Sequence, residues 1–210
     1  MTPMRLLSAV SAAALGLSAC SSFTASGDPL TEAEANELAG VIVQHGFVGF
    51  DPPAGAPAAA PGEAGEAADR VTVEFSDVVP CEGGGNVAFA GQLSADVNQE
   101  AQTGTFQFDY TVAPAACEVT SESDLVFTLT GDPNVRAQGE FNWSPSAFDG
   151  ALGYDGKIRW ETADGRSGAC GIDLSSEFDV AVTTDASTGS VQVSGKVCGL
   201  TINRTVSFES

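Results

Sequence analysis

From Val71 onward, apolar residues recur at every second position, in one short segment after another. Val87, Phe89, Gly91, Leu93, Ala95 and Val97 alternate with Ala88, Ala90, Gln92, Ser94 and Asp96, and Phe106, Phe108, Tyr110 and Val112 alternate with Gln107, Asp109 and Thr111. The same holds at Leu125–Leu129, Val135–Trp143, Tyr154–Glu161 and Ile172–Val182. Successive side chains of a strand point to opposite faces, so this period describes antiparallel strands with one dry and one wet face. Adding Val71–Val79, Ser190–Val197 and Leu200–Phe208 gives about nine strands, uninterrupted by any helical period. Turn chemistry separates them at Gly83–Asn86, Gly131–Asn134, Asp149-Gly150, Asp155-Gly156, Asp164-Gly165 and Thr184–Gly189. The expectation is an all-β domain over 69–210, built as an antiparallel up-and-down barrel or a sandwich and preceded by one short N-terminal helix.

The first 68 residues are of another kind. Arg5 precedes an apolar run, Leu6–Leu17, that is too short for a permanent membrane span, and residues 1–19 read as a signal peptide. Its end, Leu17-Ser18-Ala19-Cys20, resembles the lipobox of bacterial lipoproteins. That resemblance implies cleavage before Cys20, acylation of its sulfur and amine, and, because Ser21 is not Asp, sorting to the outer membrane. Acyl chains on Cys20 would anchor the protein to a membrane without a transmembrane helix. Residues 20–28 then form a polar tether. Over 29–50, Thr31 and Glu34 make a capping box, Glu32, Glu34 and Glu37 load the positive end of the helix dipole, and Leu38, Val41 and Ile42 form an apolar stripe. The stripe calls for a docking surface on the β domain. Residues 51–68, DPPAGAPAAAPGEAGEAA, are an Ala/Pro/Gly linker.

Charge removes whole classes of function. With 28 acidic residues against 8 basic ones, a net of -20, the chain lacks the basic face that nucleic-acid binding needs. A single histidine and five cysteines argue against histidine-rich metal sites, and no metal or cofactor is expected. Once Cys20 is assigned to lipid, Cys81, Cys117, Cys170 and Cys198 remain, an even number in an exported protein, and so two disulfides. With nine alternating strands, Cys81 and Cys117 fall at one end of the sheet and Cys170 and Cys198 at the other. This favours the pairs Cys81–Cys117 and Cys170–Cys198. Two difficulties attend it: strands one and three are about 9.6 Å apart, and Cys198 has the parity of the wet residues Gln192, Ser194 and Lys196.

No catalytic residues are assigned. Gly165-Arg166-Ser167-Gly168 departs from the nucleophile elbow because Ala169 stands where the last glycine should be. Asp149, Asp155 and Asp164 are better read as turn residues than as calcium ligands. The stretches LTEAEA (30–35) with Gly46-Phe47, DGRSGAC (164–170) with Ile172-Asp173-Leu174, and VSGKVCG (193–199) resemble a group of uncharacterised all-β envelope lipoproteins, a resemblance that implies no known activity or ligand. The reading is a non-catalytic binding or structural protein, lipid-anchored in the cell envelope and facing the periplasm or the surface. An alternative is a periplasmic carrier whose interior holds a small apolar, lipid-like ligand lined by Phe89, Phe106, Phe108, Tyr110, Phe127, Trp143, Trp160 and Phe178. A hydrolase acting on envelope material is a further alternative.

Overall fold

A computed structural model describes residues 26–48, 70–182 and 187–209. The expected signal peptide, Cys20 and the expected 51–68 linker lie outside the described residues. The elements are β1 (Ser26–Gly27), α1 (Glu32–Val48), β2 (Val71–Pro80), β3 (Asn86–Asn98), β4 (Thr103–Ala115), β5 (Cys117–Thr120), β6 (Val126–Ser144), β7 (Ala147–Thr162), β8 (Ser167–Val182), β9 (Ser187–Val197) and β10 (Leu200–Glu209). All strand pairings are antiparallel, in the order β10-β9-β8-β7-β6-β4-β3-β2, with β5 added on β6 and β1 on β8. The up-and-down order is the one expected. Of the two expected architectures the closed barrel does not form: β2 and β10 are the two edges of the sheet and do not pair with each other, so the sheet is open.

Several expected turns are absorbed into long strands. Asp149-Gly150 and Asp155-Gly156 lie inside the 16-residue β7. Gly131–Asn134 is a bulge within the 19-residue β6: Gly131 pairs with Ile158 and Val135 with Gly156, so the chain bends there without reversing. In the other direction, β5 is a strand that the alternation did not mark. It continues β4 past Ala116, whose φ is 50°, and pairs with the start of β6.

The loss of one reversal has a topological consequence. Cys170 near the start of β8 and Cys198 after β9 lie at the same end of the sheet as Cys81 and Cys117, not at the opposite end. Both disulfides form as paired in the sequence reading, with Cα separations of 5.5 Å for Cys81–Cys117 and 4.7 Å for Cys170–Cys198. The first closes because the chain beyond β4 turns at Ala116 back toward the β2–β3 turn, where the Glu118 N–H donates to the Gly84 carbonyl at 2.9 Å. The second closes because Cys198 and Gly199 have left the strand. Their φ values of 54° and 81° make a two-residue hairpin between Val197 and Leu200, and the Cys198 N–H donates to the Gly171 carbonyl at 3.0 Å. We call this the cysteine end. The far end holds the 99–102 loop and the Pro145-Ser146 hairpin.

Size alternation across the strands shapes the inner face. One row reads Phe75, Gly91, Tyr110, Ala137, Tyr154, Leu174, Gly195, Ile202 from β2 to β10. A glycine or alanine between bulky neighbours lets side chains two strands apart touch, and the sheet curls around them. Thus the Phe75 and Tyr110 rings approach to 6.0 Å over Gly91, and Phe141 and Phe178 to 5.4 Å over Gly150. The helix docks on this face, as its stripe required. It packs on β9 and β10, burying Ala35, Leu38, Ala39, Val41 and Val43 in the same core as the strands.

Gly150 and Gly153 provide a matched test on one strand. A Cβ on Gly150 would lie 2.3 Å from the Glu140 carbonyl oxygen and 2.7 Å from the Phe141 Cα, whereas one on Gly153 meets nothing closer than 3.7 Å. Gly150→Ala should cost about 1–3 kcal/mol, lowering Tm by roughly 3–10 °C. Gly153→Ala should be neutral or stabilising by about 0.5 kcal/mol. Equal melting shifts would count against the inward placement of Gly150. Replacing either disulfide by a serine pair should cost about 3–4 kcal/mol, the loop-closure value for such spacings, measured by urea unfolding.

Candidate functional site

The eight residues expected to line a ligand cavity divide into three groups. Phe89, Tyr110, Phe127 and Trp160 are buried in the packed core. Phe106, Phe108 and Phe178 are half-buried toward the far end, and Trp143 is 38% exposed at the rim. They do not converge on a common hollow. Phe108 and Phe178 instead meet Phe141, at 5.5 and 5.4 Å, in edge-on geometry, and Phe148 stacks on Phe141 at 5.0 Å with ring planes 10° apart. Such aromatic pairing stabilises beyond area burial. Phe148 escaped the sequence reading because Asp149-Gly150 was read as a turn. Its signal was present: Phe148, Gly150, Leu152 and Tyr154 continue the period of two.

Between α1 and the sheet, Val41 and Ile42 face Val87, Val112, Val119, Leu129 and Tyr154 around a cavity of about 50 Å³. This is small against the roughly 300–1,000 Å³ of small-molecule sites. Two phenols are among the most deeply buried polar groups of the inner face. Tyr110 and Tyr154 are 2% exposed, and loss of solvation pushes both phenols well above the ordinary tyrosine range, so both stay neutral. The Tyr154 Oη, the Trp160 Nε1, the Ser176 Oγ and, on α1, the Glu37 Oε2 are enclosed without a hydrogen-bond partner among the described residues.

Ionised groups gather instead where the helix meets the cysteine end. The capping box forms as expected: the Thr31 N–H donates to Glu34 Oε2 at 2.8 Å, and the Glu34 N–H to Thr31 Oγ1 at 3.2 Å. The carboxylate of Glu34 also receives the Arg166 guanidinium, which pairs with Asp164 at 2.9 Å. Gly165-Arg166-Ser167-Gly168 is therefore a hairpin that clamps α1. A second arginine does similar work on the other side. Arg204, inward on β10, donates to the Asn36 carbonyl at 3.5 Å and to Glu122 Oε2 at 2.7 Å, tying β10 and α1 to the β5–β6 loop. An inward-pointing arginine in an apolar strand pattern was the available signal for it. Asp149 and Asp155 stand six residues apart on β7, and Asp164 lies in the hairpin beyond it, so the three do not share a site. Among the described residues, no cluster of three or more His, Cys, Asp or Glu is placed to hold a metal ion.

No protein-family model matches this sequence, and neither a curated protein nor a solved structure is significantly similar to it.

Arg166 above all, then the Thr31 N–H, holds the Glu34 carboxyl down at about 2. A carboxyl whose folded pKa is depressed contributes stability above its unfolded value near 4.5, and that contribution fades as pH falls toward 2. Glu34→Gln keeps the capping geometry and removes the charge. It should cost about 1–2 kcal/mol at pH 7, and the gap from wild type should close between pH 4.5 and 2. A gap independent of pH in urea unfolding would refute the ion-pair account.

Proposed function

We propose that this chain is an exported, lipid-anchored envelope protein whose β domain has a non-catalytic binding or structural role. The observation that carries this reading is the Leu17–Cys20 lipobox placed ahead of a domain whose four other cysteines form two disulfides. Disulfides are consistent with an oxidising, extracytoplasmic compartment. No helix among the described residues is long and apolar enough to cross a membrane. Acyl chains on Cys20 supply the anchor, with sorting to the outer membrane of a two-membrane cell following from Ser21 by the lipobox resemblance. The packed aromatic core and the 50 Å³ cavity favour this role over that of a carrier of an apolar ligand.

Mass spectrometry of the N-terminal peptide from membrane-purified protein is expected to find diacylglyceryl on Cys20, with Cys20→Ser moving the protein to the soluble fraction. An unmodified Cys20 on a soluble wild-type chain would overturn the anchor. A lipid-like molecule retained by the β domain in native mass spectra would replace the binding or structural role with the carrier.

A further inference from the structure

The N-terminal arm does not leave the domain at an arbitrary point. Ser26 and Gly27 pair with Ala169 and Gly168 at the start of β8, and the Asp28 N–H donates to the Ser167 carbonyl at 3.0 Å. Five residues separate Cys20 from Ser26, six backbone steps with a contour of at most about 20 Å. From Ala169, β8 runs thirteen further residues to Val182 at the far end, or about 43 Å. A lipid on Cys20 therefore cannot reach the far end.

We infer that the domain stands end-on, with the cysteine end facing the bilayer and the far end carried away from it. This rests on the Cys20 anchor proposed above. At the far end Val97 and Trp143, each 38% accessible, flank Gly104, whose Cβ position lies 3.5 Å from Val97 Cγ2 and 3.8 Å from Trp143 Cε3. The orientation presents this apolar notch to the space beyond the membrane rather than to lipid.

The chain holds two tryptophans, and they mark the two ends. Trp160 pairs with Gly168, itself the partner of Gly27, while Trp143 pairs with Phe148, twelve residues away along β7, or about 40 Å. The test uses the full lipidated chain in phosphatidylcholine/phosphatidylglycerol vesicles with a dansyl acceptor on the headgroup. Energy transfer is read from Trp143→Phe, which leaves the proximal tryptophan, and from Trp160→Phe, which leaves the distal one. Transfer from Trp160 should exceed that from Trp143 by at least about fivefold, given the added separation along the strand. Should Trp160→Phe fail to fold, the wild-type signal minus that of Trp143→Phe supplies the Trp143 value. Equal transfer, or more from Trp143, on protein whose Cys20 carries lipid by mass overturns the orientation and leaves the anchor standing. Cys20 found without lipid overturns both.

Discussion

The structure depends on the exchange of large for small residues between neighbouring strands on one face of the sheet. Where Gly91, Ala137, Gly150 or Gly195 sits between bulky residues, the sheet gains room to curl, and side chains from alternate strands meet over the gap. A uniformly large inner face would hold the strands flat, with no hollow to receive a helix. The inner residues of the sheet and the stripe of α1 then form one core, from Leu38 and Val41 through Phe89, Tyr110, Phe141, Tyr154 and Ile172 to Ile202. In an open sheet this common core does the work that edge-to-edge pairing does in a closed barrel.

Polar interactions divide the labour differently at the two ends. At the cysteine end, both disulfides, the Glu34–Arg166–Asp164 group and the Arg204–Glu122 pair bind α1, β8 and β10 to the loops around them. The far end has the 99–102 loop and the Pro145-Ser146 hairpin, and its cohesion comes from rings: Phe108, Phe141, Phe148 and Phe178. Outer-face acids are partly matched in place, as in the bidentate contact of Arg136 with Asp109 at 2.7 and 2.9 Å. Most of the rest remain solvated.

Period-two alternation made the strands, their antiparallel sense and the dry face legible from the sequence, and the capping box located α1. Asp-Gly and Gly-x-x-Asn were misleading because the same residues serve two purposes. In a loop they permit a reversal, whereas inside a curled strand glycine provides clearance for a neighbouring ring and Gly131–Asn134 provides a bulge. Only the pairing partner distinguishes the uses, and that is non-local. Barrel closure was illegible for the same reason, since it depends on where β2 and β10 finish relative to each other. The cysteine pairs were readable because separation along the chain and strand order constrained them together, although the end assigned to Cys170–Cys198 inherited the miscounted reversal. As for the candidate site, alternation identified which aromatics point inward. It carried no information about whether their summed volumes fill the space, and the structure spends most of them on the core.

The bulge in β6 has a mechanical meaning. Because the chain does not reverse at Gly131–Asn134, both covalent cross-links lie at the end where β1 joins β8. Tension applied through the N-terminal arm arrives at Gly27, on a two-residue strand that alone would shear easily. It passes next to β8, where Cys170 couples the load directly to the β9–β10 hairpin through Cys198, so that the force is shared by three long strands before any inner ladder is pulled.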